Sequence, residues 1–233
     1  MTQDIPAIVI VGAGVTAAIY YRKLTPGAGL TGGLVAMLVY VGAGYLGLAL
    51  LATFFVLATG ATSWRREEKH SPFSGVKHQE KRHSGQVFAN GGVAALLGLL
   101  MALMPQHRPL LLVMMASSLS SATADTLSSE LGVVYGRKFF NIITWGQDTA
   151  GMDGVVSMEG LLTGLGGSCL VAIVYAMGTH WGPGVLAVVF AGTIGNLADS
   201  VLGATLERQG RLSNNVVNLL NTAIAAALGG LLG

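Results

Sequence analysis

The stretch Leu30–Thr59 reads LTGGLVAMLVYVGAGYLGLALLATFFVLAT, thirty residues without one charged side chain. A helix crossing a bilayer core needs about 20 mostly apolar residues. The stretch is too long for one ordinary span and too short for two full ones. Gly42-Ala43-Gly44 interrupts it. It is either one long tilted helix or two short helices joined at these residues. Both readings require a membrane.

Working outward, further apolar runs cover Ile5–Tyr21, Gly85–Met104, Pro109–Val134, Val156–Gly178, Gly184–Leu206 and Val216–Leu232. The expected fold is all-α: a polytopic integral membrane helical bundle of about seven to eight segments. Residues 1–233 form a single integral membrane domain, with a basic loop at 63–84. Composition agrees. The 233 residues are 52% hydrophobic and 10% charged, against about 25% charged in a soluble domain. Mean hydropathy is +0.63. There are 34 glycines, and glycine is more frequent in transmembrane than in soluble helices. A lone cysteine, Cys169, excludes an intrachain disulfide framework. The run Ile5–Tyr21 lacks a basic segment before it, because Asp4 precedes it and Arg22-Lys23 follow. It is expected to be a retained helix rather than a cleaved signal.

Cations decide between the two readings of Leu30–Thr59. If it is a re-entering helical pair, twelve of the thirteen Lys and Arg residues lie on one side, with Arg108 the exception. If it is a single helix, Arg22 and Lys23 move to the other side. The positive-inside rule favours the pair, with both chain ends outside and the loop 63–84 cytoplasmic. That loop is either solvated beside anionic headgroups or a clamp on a polyphosphate, with Lys69 and Arg82 as candidate phosphate ligands. Its His70, His78 and His83 lack zinc-ligand spacing.

Gly12-Ala13-Gly14 after Ile8-Val9-Ile10-Val11 has the look of a dinucleotide fingerprint. The motif needs a βαβ unit and a later acidic residue, and neither follows. Close helix packing in lipid is the expected role of these small residues.

Ionisable groups within spans are costly and ask for a reason. Asp125 and Glu130 lie in Pro109–Val134, and Asp199 lies in Gly184–Leu206. Ser121, Asp125 and Ser129 are spaced four apart, on one helical stripe. Glu130 is about 140° around from Asp125. Asn196 and Asp199, three apart, are expected to face one cavity, and Asn214, Asn218 and Asn221 to share a face. Asn90, Asp153, Glu159 and Ser157 fall near the same membrane side, as do Arg137, Lys138 and Arg208. The outer half is expected to be nearly devoid of polar groups. Carboxylates, amides and cations gathered on one side suit Mg²⁺ with substrate phosphates. Plainer readings stand beside this one. The Asn cluster can cap a helix and bond between helices. Asp153 can cap the following helix. Glu159 can be a solvated first-turn carboxylate. Small-residue runs such as Gly164-Leu165-Gly166-Gly167 permit helix association, within one chain or in a homo-oligomer.

Four segments carry a family resemblance: Phe88-Ala89-Asn90-Gly91-Gly92-Val93-Ala94-Ala95, Ala122-Thr123-Ala124-Asp125-Thr126-Leu127-Ser128-Ser129-Glu130-Leu131-Gly132, Asp199-Ser200-Val201-Leu202-Gly203-Ala204-Thr205, and Asn214-Asn215-Val216-Val217-Asn218. Together they resemble the DUF92 membrane family, which includes the eukaryotic transmembrane protein 19 and the phytyl-phosphate kinases of tocopherol synthesis. The resemblance implies transfer of a phosphoryl group from a nucleoside triphosphate, CTP favoured, to phytyl, geranylgeranyl or farnesyl monophosphate. It implies that Asp125, Glu130 and Asp199 are catalytic and bind Mg²⁺-nucleotide. Asn90, Asn214 and Asn218 match its amide positions. Asp153-Gly154 and Ser157 match an Asp-Gly-Gly-Val-Ser segment in which this chain has Val155 for the second glycine. The expected partners are an isoprenyl monophosphate, a nucleoside triphosphate and the bilayer, with no nucleic acid. The compact chain suggests a prokaryotic plasma membrane with its site on the cytoplasmic side. A membrane transporter or lipid-phosphate flippase, and a lipid-phosphate cytidylyltransferase-like enzyme, are the alternatives.

Overall fold

The computed structural model describes residues 4–65 and 81–233. The described helices are α1 (Ile5–Tyr20), α2 (Pro26–Ser63), α3 (Ser84–Leu103), α4 (Arg108–Tyr135), α5 (Met158–Gly178), α6 (Pro183–Leu202) and α7 (Asn214–Leu232). Six of these stretches are long and apolar enough to cross a membrane, and α1 is a shorter apolar helix. The protein is an all-α polytopic bundle, and the element bounds fall close to the apolar runs of the sequence.

The long stretch is a folded pair. A continuous 38-residue helix would be about 57 Å long. Instead Lys23, just before α2, donates its Nζ to Ser63 Oγ at 2.7 Å, at the other end of α2. The reversal is at Gly44, with φ 64° and ψ −149°, a region essentially reserved for glycine. The two arms, 26–43 and 45–63, then pack closely. A Cβ on Gly47 would stand 3.0 Å from the Val39 carbonyl oxygen. The pairing expected from the cation distribution is therefore present.

One end of the bundle collects the polar connections. Leu24 bridges to Arg82, and Trp64 Nε1 donates to Tyr135 Oη at 2.8 Å. Between α4 and α5 the chain forms a two-residue antiparallel pairing, Phe140 with Val156 and Asn141 with Val155. That pairing is a detail the apolar patterning does not contain.

Helix α4 is the central post. Its buried residues include Met115, Ala116, Leu119, Ala122 and Ala124, with Ser117, Ser118, Ser120, Ser121 and Thr123 among them. Small residues on its neighbours allow the approach: a Cβ on Gly192 would collide with Ser120 Oγ, and one on Gly195 with Ser121 Oγ. Gly164 and Gly167 of α5 serve the same purpose, against the Ala124 carbonyl and Leu127. Gly166 does not, and neither do Gly12 and Gly14, where an added Cβ meets nothing within 4 Å. The close packing expected for Gly12 and Gly14 is thus not made within the described residues. The α-helix across them excludes the strand-and-loop dinucleotide motif.

The serines also correct an expectation. Ser117, Ser118, Ser120 and Ser168 are fully buried, and their hydroxyls have no bonding partner among the described residues. The half of the bundle away from the polar connections contains hydroxyl groups as well as hydrocarbon.

Candidate functional site

A cavity of about 470 Å³ opens at the polar end of the bundle, between α3, α4, α6, α7 and the α4–α5 connection. This volume lies in the usual range for small-ligand sites. Asp125 comes from the stripe on α4, as the four-residue spacing required, and Asp199 faces it from α6. The two carboxyl groups are in hydrogen-bonding contact, and Ser129 follows Asp125 one turn on along α4. Asp199 is held from behind by α7. Asn221 Nδ2 donates to Asp199 Oδ1 at 2.6 Å, and Ser121 Oγ donates to Asn221 Oδ1 at 3.1 Å.

Around this pair the wall is mostly polar. Asn90 and Asn218 are buried, and each leaves its Oδ1 without a partner among the described residues. The Asn90 orientation is fixed, because its Nδ2 donates to the Gln86 carbonyl at 2.9 Å. Arg82 and Glu130 lie on the wall. Burial lowers the Arg82 pKa from its ordinary value, opposed by the charges of Glu130 and Asp125. Ser129, Asp153 and Asn214 are exposed at the rim. Ser157 lines the wall and caps α5, its Oγ accepting from Gly160 N at 3.1 Å. The cap is Ser157 rather than Asp153.

Ten of the candidate residues read from the sequence therefore share this cavity: Asn90, Asp125, Ser129, Glu130, Asp153, Ser157, Asp199, Asn214, Asn218 and Arg82. Arg208 does not line it. Its guanidinium pairs with Asp148 Oδ2 at 2.7 Å. The Arg208 bond holds the Asp148 carboxyl below the usual carboxylate range. Lys69 lies outside the described residues. Asn196 is buried away from the cavity, its Nδ2 beside Gly164. Glu159 does not line it either. It accepts a long bond from Arg137 N at 3.4 Å.

Glu207, Gln86 and Thr62 line the cavity and were not anticipated. Glu207 ends a π turn, Gly203–Glu207, that continues α6. In a regular α-helix, eight residues would rotate it about 80° past Asp199. The wider turn reduces that rotation and returns the carboxyl to the cavity, which Asn214 also lines. Such turns recur at functional sites. The signal available in the sequence was Asp199, Gly203 and Glu207 at intervals of four.

Gly154 explains why the connection can close over this turn. Its φ is +73°, and a Cβ there would overlap the backbone of Ala204. Of the two glycines in the Asp-Gly-Gly-Val-Ser pattern, the one retained here is the one that makes a close backbone approach.

Among the described residues, no three His, Cys, Asp or Glu side chains are grouped so as to hold a metal unaided. Mg²⁺ does not require that, since it commonly takes one or two carboxylates and completes its shell with water and phosphate oxygens. The Asp125–Asp199 pair, with acceptor oxygens on the same wall, fits that donor set.

Fold and cavity together define an integral membrane protein with a polar, carboxylate-lined site set into one end of a helical bundle. A family profile described as integral membrane protein DUF92 matches residues 9–226, and the chain belongs to that family. It is 30% identical to protein VTE6, chloroplastic, of Arabidopsis thaliana, over 78% of this chain and 57% of that protein. An uncharacterized membrane protein of Methanocaldococcus jannaschii is 33% identical over 80% of this chain and 76% of its own length. One from Synechocystis is 30% identical, over 91% and 84% respectively. No solved structure matches the chain.

Proposed function

We propose that the protein is an isoprenyl-phosphate kinase, which transfers a phosphoryl group from a nucleoside triphosphate, CTP favoured, to a phytyl, geranylgeranyl or farnesyl monophosphate. The observation that carries this reading is the contact between the Asp125 and Asp199 carboxyls inside an amide-lined cavity at one end of a membrane bundle. The resemblance of the chain's motifs to the phytyl-phosphate kinases supports the choice of substrates.

The reaction asks for positioning and charge neutralisation more than for covalent chemistry. An oxygen of the acceptor monophosphate attacks the γ-phosphorus. The bond to the β–γ bridging oxygen breaks, leaving an isoprenyl diphosphate and a nucleoside diphosphate. The acceptor is already an anion, so no strong general base is needed. Asp125 and Asp199 would hold Mg²⁺, which when bound supplies positive charge to the phosphate oxygens. Arg82 neutralises charge at the mouth. Asn214, Asn218 and Ser129 orient the reacting groups, while Asn90, whose Nδ2 is engaged by Gln86, offers its Oδ1 as an acceptor beside the cation. The isoprenyl tail lies among apolar side chains while its phosphate reaches the polar end, which this reading places on the cytoplasmic side. Glu130 stands on the same wall, and its charge favours the charged form of Arg82.

Purified protein is tested with the three monophosphates, each with CTP or ATP and Mg²⁺. Diphosphate product with released nucleoside diphosphate is expected. A nucleotide–lipid product with pyrophosphate would identify the cytidylyltransferase-like reaction instead.

One observation favours a second reading, a transporter or lipid-phosphate flippase. The buried hydroxyls of Ser117, Ser118, Ser120 and Ser168 continue polarity beyond the cavity. Substrate-dependent proton flux without nucleotide turnover would establish it.

A further inference from the structure

Arg82 is the one Lys or Arg among the described lining residues of the cavity, and it is held from outside. Its backbone is tied to the turn between α1 and α2. Arg82 N donates to the Lys23 carbonyl at 3.1 Å, and Thr25 N donates to the Arg82 carbonyl at 3.1 Å. From that anchor the side chain reaches over the ring of Phe54, with its guanidinium carbon 5.7 Å from the ring centroid. Phe54 lies on the second arm of α2. It is buried in the hydrophobic core and does not line the cavity.

The kind of restraint matters. A free arginine side chain loses rotamer freedom whenever it meets a ligand, so a fixed one binds at lower cost. A carboxylate could fix it, but a bidentate carboxylate occupies the same fork of N–H donors that phosphate uses. Arg208 is restrained in that way, by Asp148 at 2.7 Å. An aromatic face attracts the cation through its quadrupole and does not compete with phosphate oxygens. Among the described residues the Arg82 guanidinium makes this ring contact and no hydrogen bond or ion pair. It therefore combines a fixed position with N–H donors left over for a ligand.

We propose that Phe54 is a positioning residue of the cavity, whose ring holds the Arg82 guanidinium where it receives phosphate oxygens. The proposal rests on the kinase reading only for which phosphates arrive. A guanidinium held in this way can take two phosphate oxygens at once. Loss of the ring weakens phosphate binding and leaves the carboxylates of the cavity untouched. The requirement is for a π face rather than for bulk. Leucine fills much of the space without a quadrupole, whereas tyrosine keeps the face.

The test is calorimetric titration of the full-length protein in nanodiscs with inorganic pyrophosphate and Mg²⁺. Phe54→Leu is expected to weaken binding about tenfold, and Phe54→Tyr to stay within about threefold of wild type. Phe54→Met replaces the leucine variant if that one does not fold. Melting without ligand reads the contact itself. Phe54→Leu is expected to lower the melting temperature less in an Arg82→Met background than in wild type, because the ring then has no cation to hold. Wild type that binds no pyrophosphate, wild-type affinity in folded Phe54→Leu, or equal melting losses in the two backgrounds would each overturn the proposal. Diphosphate production with an unchanged KM for the nucleotide in Phe54→Leu would overturn the role of Phe54 and leave the kinase reading standing. Pyrophosphate binding that depends on Phe54, without diphosphate from any substrate pair, would do the reverse.

Discussion

Asn221 donates its Nδ2–H to Asp199 Oδ1 at 2.6 Å while accepting from Ser121 Oγ at 3.1 Å. The amide therefore couples α4, α6 and α7 through one buried side chain. A hydrogen bond to a charged group contributes about 1.5–3 kcal/mol. Partners that orient a metal-binding carboxylate typically matter by about 10–100-fold in affinity or activity. Asn221→Ala is therefore expected to lower turnover about 10–100-fold and to raise the Mg²⁺ concentration needed for half-maximal rate. An unchanged Mg²⁺ requirement would show that Asn221 only packs.

Asp125→Asn and Asp199→Asn remove a charge and keep the shape. Both are expected to reduce phosphoryl transfer to background while leaving membrane insertion and melting close to wild type. Full activity in both would remove these residues from the reaction. Glu159→Gln should be mild, since Glu159 stands outside the cavity and accepts only a long backbone bond.

Gly154 and Val155 give opposite expectations. At Gly154 the positive φ and the contact with Ala204 both exclude a side chain. Gly154→Ala is expected to destabilise the protein by about 1–3 kcal/mol and to impair turnover by lifting the Asp153 connection off the π turn. Val155→Gly restores the second glycine of the pattern. It should leave turnover within a few-fold of wild type, because Val155 is paired in the short strand. Melting curves and rates for the two variants, measured together, check both statements.

The helical pair in α2 depends on Gly44. With φ 64° and ψ −149°, any Cβ at this position is strained by about 1–3 kcal/mol. Gly44→Leu is expected to lower the melting temperature. It should also loosen the Lys23–Ser63 contact, so that Ser63→Ala, which removes the acceptor, costs less stability in this variant than in wild type. Wild-type stability in this variant would mean that the reversal is set by the flanking packing.

Much of this arrangement was readable from the chain. Thirty uncharged residues required a membrane, and the placement of Arg22 and Lys23 argued for the reversal. Four-residue spacing put Ser121, Asp125 and Ser129 on one stripe, because α4 is regular there. The reading failed where geometry departs from an ideal helix or depends on a neighbour. Glu207 reaches the cavity only through the π turn. Asn196 faces Gly164, since a glycine on α5 makes room for it. Arg208 was expected beside the substrate phosphates, but Asp148, sixty residues earlier, holds it outside the cavity lining.

The Arg208–Asp148 pair gives a pH test with a definite sign. The Arg208 bond depresses the folded pKa of Asp148, so its stabilising contribution is complete above the ordinary carboxylate pKa of about 3.9. It is lost as pH falls through the lower folded value. The pair is solvent-accessible, so the effect is small and screened by salt. At pH 6 wild type should melt slightly above Asp148→Asn, and the gap should close as pH falls below about 4. A constant gap down to pH 3 would mean that the asparagine changes packing rather than charge. Arg208→Ala should reproduce the loss of stability at pH 6. Because its guanidinium is turned away from the cavity, it should leave phosphoryl transfer near the wild-type rate. A collapse of turnover in this variant would instead place Arg208 on the substrate, released from Asp148 when phosphate enters.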